Sequence, residues 1–112
     1  MTTVMHLTEQ EQRLADLVAA RTVLPVEGVE VQAAVARIFD LPCADIVGPS
    51  RKARLVDARS VIAYILTERG WTYPEVGELL NRDASTVHHL CQRIKRDREL
   101  RSLAGELVEV GR

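Results

Sequence analysis

Aromatic side chains are nearly absent from this chain: one Trp, two Tyr and one Phe stand among 112 residues. Its core must therefore be filled by Leu, Val, Ile and Ala, which suits packed helices. Cysteine is scarce too, and Cys43 and Cys91 are too few for a disulfide scaffold and too far apart for a metal motif. A reduced, cytoplasmic protein with no bound metal is expected. No apolar run reaches the roughly 20 residues that span a bilayer, and the first residues lack the basic-then-apolar pattern of a secretory signal. Neither a membrane nor a secretory destination is expected. The phosphate-cradling string G-x-x-x-x-G-K-[ST] is missing, so no nucleotide or other cofactor is expected. Without a Ser/His/Asp set, a metal cluster or a carboxylate pair, an enzyme is not expected either.

Excess charge is also lacking, since the formal net charge is −1. Its distribution says more than its sum. Residues 1–50 hold three Arg against seven acids, whereas residues 51–101 hold eleven Lys and Arg against seven acids. A basic segment thus lies beside an acidic one, and a phosphate backbone responds to local charge.

What is present is a succession of helical patterns without strand alternation. Thr8 followed by Glu11 forms a capping box, and Leu14, Leu17 and Val18 continue an apolar stripe to about Ala20 before Pro25. A second helix is expected from Val26 to Phe39 with Val31, Val35 and Ile38 inward. Leu41-Pro42 breaks it, a short turn spans Ala44 to Val47, and Gly48-Pro49-Ser50 is a loop leading into the basic cluster Arg51, Lys52 and Arg54. The next helix runs from Leu55 to Arg69, burying Val61, Ile62, Ile65 and Leu66, with Gly70 as its stop.

Thr72 is placed to cap a short helix opening at Tyr73-Pro74, with Val76, Leu79 and Leu80 as its apolar face. Asn81-Arg82-Asp83 makes a turn, and a further helix begins at Ala84 with Val87, Leu90, Cys91 and Ile94 inward. Two short helices joined by a tight polar turn describe a helix-turn-helix, whose second helix enters the major groove of DNA. Periodicity by itself favours this reading but also admits a helical hairpin that binds no DNA. By charge alone, the run from Arg93 to Arg101 reads as one solvated helix face. The Leu100, Leu103, Leu107 stripe reads as core or a dimer seam.

The run SRKARLVDARSVIAYILTERGWTYPEVGELLNRDASTVHHLCQRI resembles the C-terminal DNA-binding domain of the bacterial replication initiator DnaA. The matching pieces are Ser50-Arg51-Lys52, Ala58-Arg59, Val76-Gly77 and Arg82-Asp83-Ala84-Ser85-Thr86-Val87, within a resemblance extending from Val26 to Arg96. It implies an all-α fold: a helix-turn-helix domain of the tryptophan-repressor-like, DnaA C-terminal type, over residues 25–112. Residues 1–24 would add an extra N-terminal amphipathic helix.

The resemblance also implies roles. Arg51 matches an arginine that enters the minor groove. Asp83, Ala84, Ser85 and Thr86 match the base-reading start of the recognition helix. Lys52 and Arg59 match positions near phosphates or in the domain's internal support. They are placed here on the DNA-backbone side together with Arg54, Tyr73, Arg82, His89, Arg93 and Lys95. The Tyr73-Pro74 helix start would present backbone amides to a phosphate. Two positions depart from the family pattern: Ala84 stands where histidine is usual, and Ala53 where a basic residue is common. The expected partner is double-stranded DNA, at initiator-like boxes in the nucleoid of a bacterium or phage-infected host, regulating replication or transcription without ATPase activity. A homodimer or protein partner through the N- or C-terminal helix is a further expectation. The competing expectation is an interaction module of the same fold that contacts a replication or transcription protein.

Overall fold

A computed structural model describes residues 26–107 of the chain. The Thr8–Glu11 capping box, the Leu14, Leu17, Val18 stripe and the domain start at residue 25 lie outside the described residues, which form six helices and no strand.

Helix α1 covers residues 26–39. It buries Val31, Val35, Ala36 and Phe39, whereas Ile38 is 48% exposed. The inward stripe therefore closes on Phe39 and not on the expected Ile38. Positions 31, 35 and 39 are spaced by four and share one ridge, while 38 falls to its flank. Left-handed Asp40 (φ 55°) ends α1, and the Leu41 amide donates back to the Ala36 carbonyl at 2.9 Å. Helix α2, Cys43–Val47, is one short turn after Pro42 and buries Ile46.

Helix α3, Ala53–Glu68, is the central element and packs against α2, α4, α5 and α6. It starts two residues before the expected Leu55. Ala58, Val61, Ile62, Ala63, Ile65 and Leu66 are fully buried, which explains an apolar pattern broader than a single stripe. Gly70 at φ 95° then turns the chain, in a backbone region that side chains rarely adopt.

Helices α4, Tyr73–Leu80, and α5, Ala84–Arg96, form the expected pair. Val76, Leu80, Val87, Leu90, Cys91 and Ile94 are buried, with Leu79 packed at the edge. The basic run is not one helix. Asp97 ends α5 and begins α6, Arg98–Leu107, by accepting the Leu100 amide at 3.1 Å. Leu100, Ala104 and Leu107 are buried and Leu103 packs beside them, so this stripe is core.

Candidate nucleic-acid interface

Local chemistry builds the helix-turn-helix. Thr72 Oγ1 accepts the Glu75 amide at 3.3 Å, and the Glu75 carboxylate accepts the Thr72 amide at 2.8 Å. This reciprocal cap fixes the start of α4. It also narrows one expectation: the amides of Thr72 and Glu75 are taken by the cap and Pro74 has none, which leaves the Tyr73 amide as the one that this first turn could present to a phosphate. Asn81 adopts the left-handed conformation (φ 57°, ψ 47°), and the Arg82 amide returns to the Gly77 carbonyl at 2.9 Å. A Cβ at Gly77 would lie 2.3 Å from the Arg82 carbonyl oxygen, so the turn closes only over glycine.

Asp83 caps α5. Its Oδ1 accepts the Thr86 amide at 2.8 Å and the Ser85 hydroxyl at 2.9 Å. The Thr86 backbone bond, then the Thr86 and Ser85 side-chain interactions, hold this carboxyl below the usual carboxylate range. The sequence placed Asp83 among base readers, and its capping duty was legible in the same residues: Asp one position before a helix is a preferred N-cap. Beyond it, Ser85 and His89 are exposed, and Ala84 and Thr86 are half-buried. Tyr73, 37% exposed, meets His88 edge to face at 5.5 Å and ties the start of α4 to the outer side of α5.

Arg51 and Lys52 stand exposed on the loop before α3. The loop is held from below by Arg59, which is 3% exposed. Arg59 Nε donates to the Ile46 carbonyl at 2.6 Å, Nη1 to Ser50 at 2.7 Å, and Nη2 to Asp45 and Gly48, each at 3.0 Å. Burial, and secondarily the neighbouring Arg82 charge, lower its pKa. Arg59 is therefore corrected from a phosphate contact to an internal support, since its donors are directed at four carbonyls.

Arg82 requires a related correction, whereas Arg54 stays exposed beside the basic loop. Arg54 donates to the Phe39 carbonyl and lies 5.3 Å over the Phe39 ring, so it fastens α3 to α1. Arg82 donates to the carbonyls of Leu80 at 3.2 Å, Asn81 at 2.9 Å and Gly48 at 2.5 Å, bridging the turn and the basic loop. With three backbone carbonyls as acceptors, the Arg82 guanidinium is committed within the fold.

Arg93 and Lys95 are exposed on the last turns of α5. Arg93 is also paired within the chain, its Nη2 lying 2.6 Å and its Nε 3.1 Å from Asp57 Oδ1 on α3. A groove lined by His88, His89, Gln92, Arg93, Arg96, Asp97 and Arg98 extends the polar face of α5. Sequence reasoning placed Arg96 within reach of the backbone but passed over Gln92, although helical spacing from Ser85 through His89 leads to both. Burial raises the pKa of the Cys91 thiol, a shift partly opposed by Thr67, which suits a packed side chain more than a nucleophile. Among the described residues no group of His, Cys, Asp or Glu could hold a metal ion, and no helix is long and apolar enough to cross a membrane.

Comparison with known proteins agrees with this geometry. A family model described as the bacterial dnaA protein helix-turn-helix matches residues 29–94. The chromosomal replication initiator protein DnaA of Cutibacterium acnes is 34% identical over 99 residues, covering 87% of this chain and 19% of that protein. The corresponding protein of Tropheryma whipplei is 31% identical over 93 residues, covering 80% of this chain and 19% of its own length. The chain thus spans about a fifth of the length of these curated relatives. With more than half of its residues inside the family match, and with the capped helices and glycine-closed turn in place, the chain belongs to the bacterial DnaA helix-turn-helix family.

Proposed function

We propose that this chain binds double-stranded DNA sequence-specifically, in replication or its transcriptional control, at boxes like those of the replication initiator and without ATPase activity. The start of α5 enters the major groove, where Ala84, Ser85 and Thr86 face base edges. Asp83 both caps this helix and borders the same bases. Arg51 enters the adjacent minor groove, and Lys52, Tyr73, His89, Arg93 and Lys95 flank the phosphates. One observation carries the reading. The exposed polar start of α5 and the exposed basic loop, more than thirty residues apart in sequence, are joined through the Arg82–Gly48 bond at 2.5 Å. Such a pairing lets one rigid body address two adjacent grooves.

A fluorescence-anisotropy titration of a duplex across a salt series tests this reading. Binding should weaken steeply, each phosphate contact contributing about 0.9 to the log–log slope. Lys95→Ala should reduce that slope by about one contact for any sequence. Absence of duplex binding at low salt would favour the interaction module, for which exposed Val26 and Val29 on α1 offer apolar surface.

A further inference from the structure

Two guanidinium groups converge on one carbonyl. Arg59 reaches Gly48 from α3 at 3.0 Å, and Arg82 reaches it from the helix-turn-helix turn at 2.5 Å. Like charges held this close repel, and burial first and the Arg82 charge second lower the Arg59 pKa, so their convergence needs compensation from the acceptors around them. The carbonyls of Asp45, Ile46 and Ser50 serve Arg59, and those of Leu80 and Asn81 serve Arg82. The two arginines differ in what they join. Arg59 supports the loop on α3, whereas Arg82, which directly precedes the Asp83 cap of α5, spans from that loop to the Leu80 and Asn81 carbonyls of the turn.

We infer that Arg82 is a positioning residue that sets the loop bearing Arg51 against the first turn of α5, so that the two grooves are read as one unit. This rests on the proposed DNA binding and assigns Arg82 no contact with DNA. Its planar fork donates in two directions from one rigid group, to the turn through Nη1 and to the loop through Nη2. A lysine ammonium on a flexible stem keeps the charge but does not reproduce that fork. Charge and bridging are therefore separable by one substitution.

The test is a double-mutant cycle between Arg51→Ala and Arg82→Lys, measured on the duplex that the unaltered chain prefers. Arg51→Ala in the unaltered chain is expected to weaken binding about tenfold, as for loss of a base-reading contact. In the Arg82→Lys background the same change should cost about twofold or less, because the loop is no longer held in register. The salt slope should be the same for the unaltered chain and for the Arg82→Lys variant. An equal tenfold loss in both backgrounds would overturn the inference while leaving DNA binding intact. So would Arg82→Ala lowering the slope by about 0.9 with Arg82→Lys restoring it, the signature of a phosphate contact. Failure of the unaltered chain to bind any duplex would overturn the DNA-binding reading itself. A measurement on the unaltered protein guards against a variant that does not fold. Slow rotation and slow exchange of the Arg82 guanidinium protons by NMR are expected, and rotation as free as that of Arg51 would contradict the bridge.

Discussion

Asp83 shows how one side chain carries two duties. As the cap of α5 it accepts the Thr86 amide, and in the proposed docking it also borders the bases. Asparagine caps about as well as aspartate, whereas alanine does not cap. Asp83→Asn should therefore preserve thermal stability while changing base preference, and Asp83→Ala should lose both; melting curves alongside binding curves separate the effects. Because folding lowers the carboxyl's pKa, its contribution is present above the ordinary aspartate range and is lost as pH falls through the lowered value. That acid-side loss should disappear in Asp83→Asn, as pH-dependent melting would show. Arg93 presents the opposite situation, a cation already engaged by Asp57 at 2.6 Å. Both side chains are partly exposed, and such pairs contribute at most about 1 kcal/mol. Asp57→Asn should release Arg93 and raise duplex affinity severalfold at low salt, with a steeper salt slope. Unchanged affinity and slope would place Arg93 away from the phosphates.

At the scale of elements, the turn between α4 and α5 has the least tolerance. Gly77→Ala puts a methyl 2.3 Å from a backbone oxygen that cannot move without opening the turn. It should destabilise the domain by about 1–3 kcal/mol in urea unfolding. Helix α1 has a fault of the other kind: Gln32 is 7% exposed, and its Nε2 is buried without a hydrogen-bond partner. Gln32→Leu should stabilise by about 1 kcal/mol in the same assay, since it removes an unsatisfied donor. The helices themselves were largely legible. Apolar spacing located α3, α4 and α5 because their buried faces are decided locally, and Thr72, Gly70 and the Asn81 turn announced their ends. What was not legible depended on distant chain. Arg59 and Arg82 read as DNA contacts because a basic residue's sequence carries no record of which carbonyls the fold will bring to it. Only the tertiary placement of Gly48 and Ser50 turns the Arg59 and Arg82 side chains to the chain's own carbonyls. The break at Asp97 was overlooked for a different reason: a continuous run of charge masked an N-cap.

For the molecule as a whole, near-zero net charge is compatible with phosphate binding because the charges are sorted along the chain. The loop before α3 and the last turn of α5 supply exposed Arg51, Lys52, Arg93, Lys95 and Arg96. The fold then joins the loop to the turn before α5 through the shared Gly48 carbonyl, and on the proposed reading specificity belongs to their combination. Ala84, where the resemblance leads to the expectation of a histidine, stands half-buried in the first turn of α5. The most direct test of the central claim, that the start of α5 reads bases, is selection of preferred sites from a random duplex pool. It would use the unaltered chain, Ala84→His and Thr86→Ala in parallel. The account predicts a defined box for the unaltered chain, related to the replication initiator's but distinct at one or two adjacent positions. Ala84→His should shift preference toward the initiator's box, and Thr86→Ala should lose discrimination at a neighbouring position, each change amounting to about 1–3 kcal/mol. Identical boxes of identical strength from all three proteins would contradict it.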